Sequence, residues 1–223
     1  MSMLSPLLRT DPASPRLTVY DEARGARMEF SAQTLDNWAS KVANLLDEEF
    51  ELGADTPIAI DLPTSWQSAV IALGAYNSGR VPVFTPELLA DATPAVVFTT
   101  VDNAARWAEV PDCVVVSDDP FGRGVVEAGG ELPFGTVDFG PTVRFYGDQY
   151  FGASPELTDF ATPDLGPERY WVPGWRTAAE FRDFVLAPLA AGGSVCASAG
   201  PISADRREEI MRTEKIDRVL GES

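Results

Sequence analysis

Short apolar, β-branched runs recur along this chain, separated by glycine or proline turns and by segments of helical spacing, and few folds accept that alternation. Ile58-Ala59-Ile60-Asp61-Leu62 reads as a buried strand. Thr64 or Ser65 then caps a helix whose apolar face carries Trp66, Val70, Leu73 and Tyr76, and Gly79 ends it. Val81 to Phe84, Ala95 to Thr99 and Cys113 to Ser117 are further strands, with a helix-like stretch from Asp102 to Trp107. Thr85-Pro86 caps a short helix running to Ala90. This β-α rhythm predicts an α/β fold of three layers, with mostly parallel sheets flanked by helices.

Upstream, Leu17 to Tyr20 and Arg27 to Phe30 predict a hairpin around the polar turn Asp21 to Ala26. Ser31 caps the next helix, with Leu35, Trp38, Val42, Leu45 and Leu46 on its apolar stripe and Asp36, Asp47 and Glu48 facing away. Residues 118–167 are rich in Gly, Pro and Asp and read as an irregular connector with one short strand near Val143 to Tyr146. It separates a first lobe, 1–117, from a second, smaller lobe, 168–223, unless all three pack as one compact domain. In the second lobe Arg169 to Val172 is a strand, and Thr177 to Glu180 is a capping box. The helix behind it carries Phe181, Phe184 and Val185, and Gly192-Gly193 turns into the strand Ser194 to Ala197. Ser203 caps a charged helix through Arg212, and Ile216 to Leu220 is the last strand.

Charge narrows the partners. With 17 Lys+Arg against 34 Asp+Glu, the net charge of −17 repels nucleic acid and anionic lipid, and free ATP unless magnesium or a basic pocket compensates. Histidine is absent, which removes imidazole triads, ligands and switches together. Lys41 and Lys215 are the only lysines. Cys113 and Cys196 lie far apart in strand-like runs and read as buried, reduced thiols. The N-terminal residues lack a signal pattern, and the longest apolar stretch, Trp66 to Phe84, is interrupted by Gln67, Asn77, Arg80 and two glycines. A cytoplasmic protein without a membrane span is expected.

The common phosphate and nucleophile motifs fail. Neither lysine follows a glycine, so no Walker loop exists. Gly122-Arg123-Gly124 begins a dinucleotide pattern, but Glu127 stands where its third glycine belongs and would repel a pyrophosphate. Gly192-Gly193-Ser194-Val195-Cys196 misses the nucleophile elbow, and no histidine is present to activate its serine. Asp118-Asp119 is the tightest acidic pair and reads as a solvated loop rather than a cation site. Arg123, Arg144 and Arg169 could hold an anion, but pairing with nearby carboxylates is the simpler expectation. Trp171 and Trp175, around Pro173-Gly174, are expected in the core rather than in a pocket.

Segment order adds a resemblance. Met28 to Leu46, with Phe30 and Ala43-Asn44-Leu45-Leu46, resembles the opening motif of adenylate-forming (AMP-binding, acyl-CoA synthetase-like) enzymes. Gly53 to Ser65 is similar to that superfamily's Gly-Asp-x-Val strand followed by Pro-Asn-Ser. Trp66 to Val83 resembles its second motif, and Leu186-Ala187-Pro188-Leu189 through Val195 its Pro-Leu-x-x-Gly step. The resemblance implies the fold of the N-terminal subdomains of acyl-CoA synthetases. It also locates departures. Tyr146 to Gly174, where the Ser/Thr/Gly-rich phosphate loop and its lysine should fall, contains neither. The histidine motif, the adenine- and ribose-binding motifs and the C-terminal catalytic lysine of the superfamily have no counterpart. No residue is therefore assigned a catalytic, cofactor-binding or metal-binding role, and no cofactor is expected. The implied function is that of a catalytically degenerate relative that binds a protein partner or a small ligand. The alternatives are a subunit that completes an adenylate-forming enzyme in trans, and an acyl binder.

Overall fold

The computed structural model of the protein describes residues 2–53, 56–84 and 94–221. In chain order the elements are α1 (Ser5–Thr10), the hairpin β1 (Pro15–Asp21) and β2 (Ala26–Ser31), and α2 (Ala32–Asn44), which continues as a wide π turn, Leu45–Glu49. Next come β3 (Ile58–Asp61), α3 (Trp66–Asn77), β4 (Val83–Phe84), β5 (Val96–Thr99), a 3₁₀ turn at Ala104–Trp107, β6 (Asp112–Val115), β7 (Val137–Asp138) and α4 (Phe139–Val143). The last stretch holds β8 (Arg169–Trp171), α5 (Ala178–Phe181), a π turn at Arg182–Leu186, α6 (Ala187–Ala190), β9 (Ser194–Ser198), α7 (Ala204–Thr213) and β10 (Arg218–Val219). The helix expected from Thr85-Pro86 to Ala90 lies outside the described residues.

Chain contacts divide these elements into two compact units. One comprises Met1–Ser2, Asp36–Leu62 and Gln67–Pro155, and the other Met3–Leu35, Pro63–Trp66 and Glu156–Ser223. This division is not contiguous in sequence, as lobes at 1–117 and 168–223 would be. The cause is pairing: β1 lies parallel to β9, with Leu17 opposite Val195, so the N-terminal hairpin belongs with the last strands. At the other end, β7 joins β6, which draws the Gly/Pro-rich stretch after Ser117 into the first unit.

The first unit holds a five-stranded, wholly parallel sheet in the order β4-β3-β5-β6-β7. Its central strands bury every side chain, from Ile58 to Asp61 and from Val96 to Thr99, as strands covered on both faces must. Helix α3 is apolar all round, with Ala69 to Leu73 fully buried, which marks an interior helix. Gly74 lets α3 approach α2, since a Cβ there would lie 2.4 Å from Val42 Cβ. Asp36, expected to face solvent, is buried and takes a hydrogen bond from Ser2, whereas Trp38 is only half-buried. The stretch from Val143 to Tyr146, expected as a strand, is instead the last residue of α4 and the turn that follows it. The extended pair is Val137–Asp138, where β-branched Val137 precedes the helix-starting Phe139-Gly140-Pro141.

The second unit holds a mixed sheet in the order β10-β8-β9-β1-β2, parallel except for the edge hairpin β1–β2. Helix α7 covers one face, where Ile210 packs with Tyr20, Trp171 and Cys196. Its cap is as expected: the Ser203 hydroxyl accepts from the Arg206 amide at 3.2 Å. Thr177 likewise accepts from the Glu180 amide, while the Glu180 carboxylate reaches the Arg176 amide, one residue short of a closed capping box. Thr64 does not cap α3. Its hydroxyl accepts from the Trp175 amide at 3.1 Å and so pins the loop after β8.

Candidate sites at two strand-end crevices

Open α/β sheets bind ligands outside the carboxyl ends of their strands, where successive crossovers turn in opposite directions. Each unit contains one such point. In the first unit the chain steps from β3 outward to β4 and then back past β3 to β5, so the crevice lies between the ends of β3 and β5. In the second it steps from β8 to β9 and then back past β8 to β10, so the reversal point lies between β8 and β10, beside the ends of β8 and β9.

The first crevice is filled by its own chain. Asp61, the last residue of β3, is buried and accepts from the Trp107 indole N–H at 2.7 Å and from the Thr99 hydroxyl at 3.3 Å. Trp107 also packs on the cluster of Ala59, Val97 and Val115, which fixes the indole over the strand ends.

The ends of β8 and β9, beside the second reversal point, are different. The Val172 amide bonds the Cys196 carbonyl at 3.0 Å, so the residues after β8 run beside the end of β9. Trp175 follows β8 and is 2% exposed, and Ser198 ends β9 at 8%. The Trp175 backbone is held by Thr64, and its ring meets Phe181 edge-on at 5.6 Å. Yet among the described residues Trp175 Nε1 and Ser198 Oγ have no hydrogen-bond partner. A buried donor left unmatched costs about 1–3 kcal/mol, a cost that an acceptor reaching the Trp175 indole would relieve. The tryptophans are core residues, as the sequence suggests. The indole without an acceptor is what the sequence does not reveal.

Between Tyr146 and Gly174, where the resemblance implied a phosphate loop, the described polar groups are used internally. Within the first unit, the Lys41 ammonium donates to the Tyr146 carbonyl at 2.6 Å, and the Asn44 amide to the carbonyls of Gly147 and Gln149. Tyr150 donates to Asp47 at 2.8 Å, and Ser154 to the Asn77 carbonyl at 2.6 Å. The segment therefore offers carbonyls to α2 rather than amides to an anion. Within the second unit, the Gly166 amide is taken by the Tyr170 hydroxyl at 2.9 Å.

The glycine pattern at Gly122 is likewise occupied. The Glu127 carboxylate accepts from the Gly124 amide at 2.7 Å, and Asp138 accepts from the Val125 and Val126 amides at 3.1 and 3.4 Å. Asp119 accepts from the amides of Phe121 and Arg123 and from the Arg123 guanidinium at 2.7 Å. Arg123 holds the Asp119 carboxyl below its ordinary range, and Arg144, with the Gly124 amide, does the same to Glu127. All three arginines considered as anion holders are thus paired with carboxylates: Arg123 with Asp119, Arg144 with Glu127 and Arg169 with Glu214. Among the described residues no group of three His, Cys, Asp or Glu side chains is placed to hold a metal ion.

Sequence reading missed the Glu214 cluster entirely. This carboxylate accepts from Tyr20 and Arg27 at 2.5 and 2.7 Å and also from Arg169. Burial pushes its carboxyl up, but the bonds from Arg27, Tyr20 and Arg169 outweigh burial and hold it at about 2. Cys113 and Cys196 are free and buried, and burial pushes the Cys196 thiol up to about 12, which keeps it inert.

No family model matches the chain. No helix among the described residues is long and apolar enough to cross a membrane. Solved structures share the fold: an acyl-CoA synthetase of Brucella canis (TM-score 0.77, 16% identity), acetoacetyl-CoA synthetase from Streptomyces lividans (0.73, 17%) and a benzoate-CoA ligase from Burkholderia xenovorans (0.70, 15%). Each alignment covers 98% of this chain but only 47%, 42% and 50% of those proteins, so the chain spans about half their length. The fold is that of the N-terminal part of the adenylate-forming superfamily. A relative of matching length comes from Mycobacterium tuberculosis, named as a TIGR03089 family protein. It is 36% identical over 245 residues, covering 98% of this chain and 96% of that protein. On that similarity the chain belongs to the TIGR03089 family.

Proposed function

We propose that this chain is a catalytically degenerate relative of acyl-CoA synthetases that binds a small acyl-type ligand between the ends of β8 and β9 without adenylating it. The observation that carries this reading is the buried Trp175 Nε1 after β8, which has no acceptor among the described residues. An indole N–H is a donor only, so Trp175 can meet the carbonyl oxygen of a ligand whose apolar body lies against its ring. The reading is supported from the other side by the chain's use of its own carboxylates on the Gly124, Val125 and Val126 amides and on Arg123 and Arg144. Stabilising a triphosphate needs those donor types uncommitted. Two buried free thiols fit a reducing compartment, so the proposed place of action is the cytoplasm.

The test is a thermal-shift and calorimetric panel of fatty acids, aromatic acids, acyl-CoAs, AMP and ATP–magnesium, run beside ATP–pyrophosphate exchange with the same acids. An acyl compound at one hundred times its Kd should stabilise the fold by about 2.7 kcal/mol. Trp175→Phe should abolish that gain, and no acid should support exchange. A panel without any shift removes the binder, and robust exchange removes the degenerate enzyme.

A further inference from the structure

All seven exposed large hydrophobic residues among the described residues, Val81, Val101, Phe121, Val126, Phe134, Phe145 and Phe151, lie in the first unit. Three of them gather around one locked loop. Arg144 donates to the Gly122 carbonyl at 3.3 Å and to both Glu127 oxygens at 2.5 and 2.6 Å. Phe121 precedes Gly122, Val126 precedes Glu127 and Phe145 follows Arg144. Gly140 packs so tightly on this loop that a Cβ there would lie 2.7 Å from the Gly124 nitrogen, so 122–127 and 139–145 form one surface. The bonds of Asp119, Glu127 and Asp138 to the loop amides hold that surface in a single shape. Exposed aromatic side chains on a pre-organised backbone lose little entropy on docking and are the usual anchors of protein interfaces.

Charge selects the occupant. Residues 117–151 carry six carboxylates, at 118, 119, 127, 131, 138 and 148, against two arginines. Both arginines are already bridged to carboxylates of the same loop. An acidic partner would find no cation to meet, and a second copy brings another net charge of −17. We propose that Phe121, Val126 and Phe145 form the docking site of a partner protein that presents apolar side chains among lysines and arginines. This surface belongs to the first unit, whereas β8 and β9 belong to the second, and the proposal does not depend on a ligand there.

The test uses the intact protein and two short designed amphipathic helices, one of Leu and Lys and one of Leu and Glu, titrated by fluorescence anisotropy near physiological salt. The Leu/Lys helix should bind and the Leu/Glu helix should not. Phe121→Ser with Phe145→Ser should weaken Leu/Lys binding about tenfold or more, at unchanged net charge. Phe134→Ser, an exposed phenylalanine outside the three, should leave it unchanged. Val126→Ser serves as a milder variant, and melting curves check that each variant folds. Absence of Leu/Lys binding overturns the proposal. So does equal binding by the double variant, which would mean charge alone, or equal binding of the Leu/Glu helix. Concentration-dependent dimers in sedimentation that the double variant abolishes would assign the surface to a second copy instead.

Discussion

The two strand-end crevices hold the same chemistry in opposite states. At the end of β3 a half-buried tryptophan indole meets a buried carboxylate, Trp107 on Asp61, and a threonine hydroxyl completes the set. After β8 a buried indole, that of Trp175, meets no acceptor among the described residues, and the Ser198 hydroxyl at the end of β9 has no partner among them either. One crevice is closed by a side chain that the strand itself supplies. The other is built with donors and lacks the acceptor. A fold that offers two binding points can retire one by a single residue choice at a strand end.

The contrast breaks first at Asp61. Asp61→Ala leaves the Trp107 N–H and the Thr99 hydroxyl unmatched in the core of the first sheet and should cost about 3 kcal/mol, measured by urea denaturation. If the cost falls within error, the closed crevice is not held by that carboxylate. Glu214→Gln comes next, at about 2 kcal/mol, below the cost for a fully buried pair because Arg27 is 40% exposed. This residue also predicts a pH dependence. Its carboxyl titrates at about 2 in the fold against an ordinary 4.5, so its contribution is complete above 4.5 and is lost as pH falls toward 2. Glu214→Gln should flatten that part of the stability curve. Asp119→Asn should cost about 1 kcal/mol, since the amide keeps one acceptor for the loop amides but loses the charge facing Arg123. Ser198→Ala should be neutral or stabilising, by up to about 1 kcal/mol, because it removes a buried hydroxyl that has no partner to lose. A loss above 1 kcal/mol there would mean that Ser198 is satisfied within the fold, and the contrast would disappear.

The sequence makes the elements readable wherever periodicity and caps agree. Ser203 before a charged helix and Ser31 before α2 are local signals, and local hydrogen bonds honour both. The segment order also carries the fold, because the buried strands of a parallel sheet are continuous apolar runs such as Val96-Val97-Phe98. What fails is non-local. Nothing near Leu17 says that β1 pairs with a strand some 180 residues away, from which the interleaving of the two units follows. Asp36 has the polarity of an exposed position and is buried through Ser2, 34 residues upstream. The crevice donors are hidden for the same reason. Trp175 reads as a core aromatic and is one, and only the three-dimensional surroundings reveal an N–H without an acceptor.

The most direct measurement follows the Trp175 indole N–H by ¹H–¹⁵N NMR. Its peak is assigned among those of the five tryptophans by its loss in Trp175→Phe, and acyl compounds or ATP–magnesium are then titrated. The account predicts a saturable downfield shift of that one indole proton with an acyl compound, little change at Trp107, and no response to ATP–magnesium. A Trp175 peak that stays still with every acyl compound, or one that moves only when nucleotide is added, would contradict it.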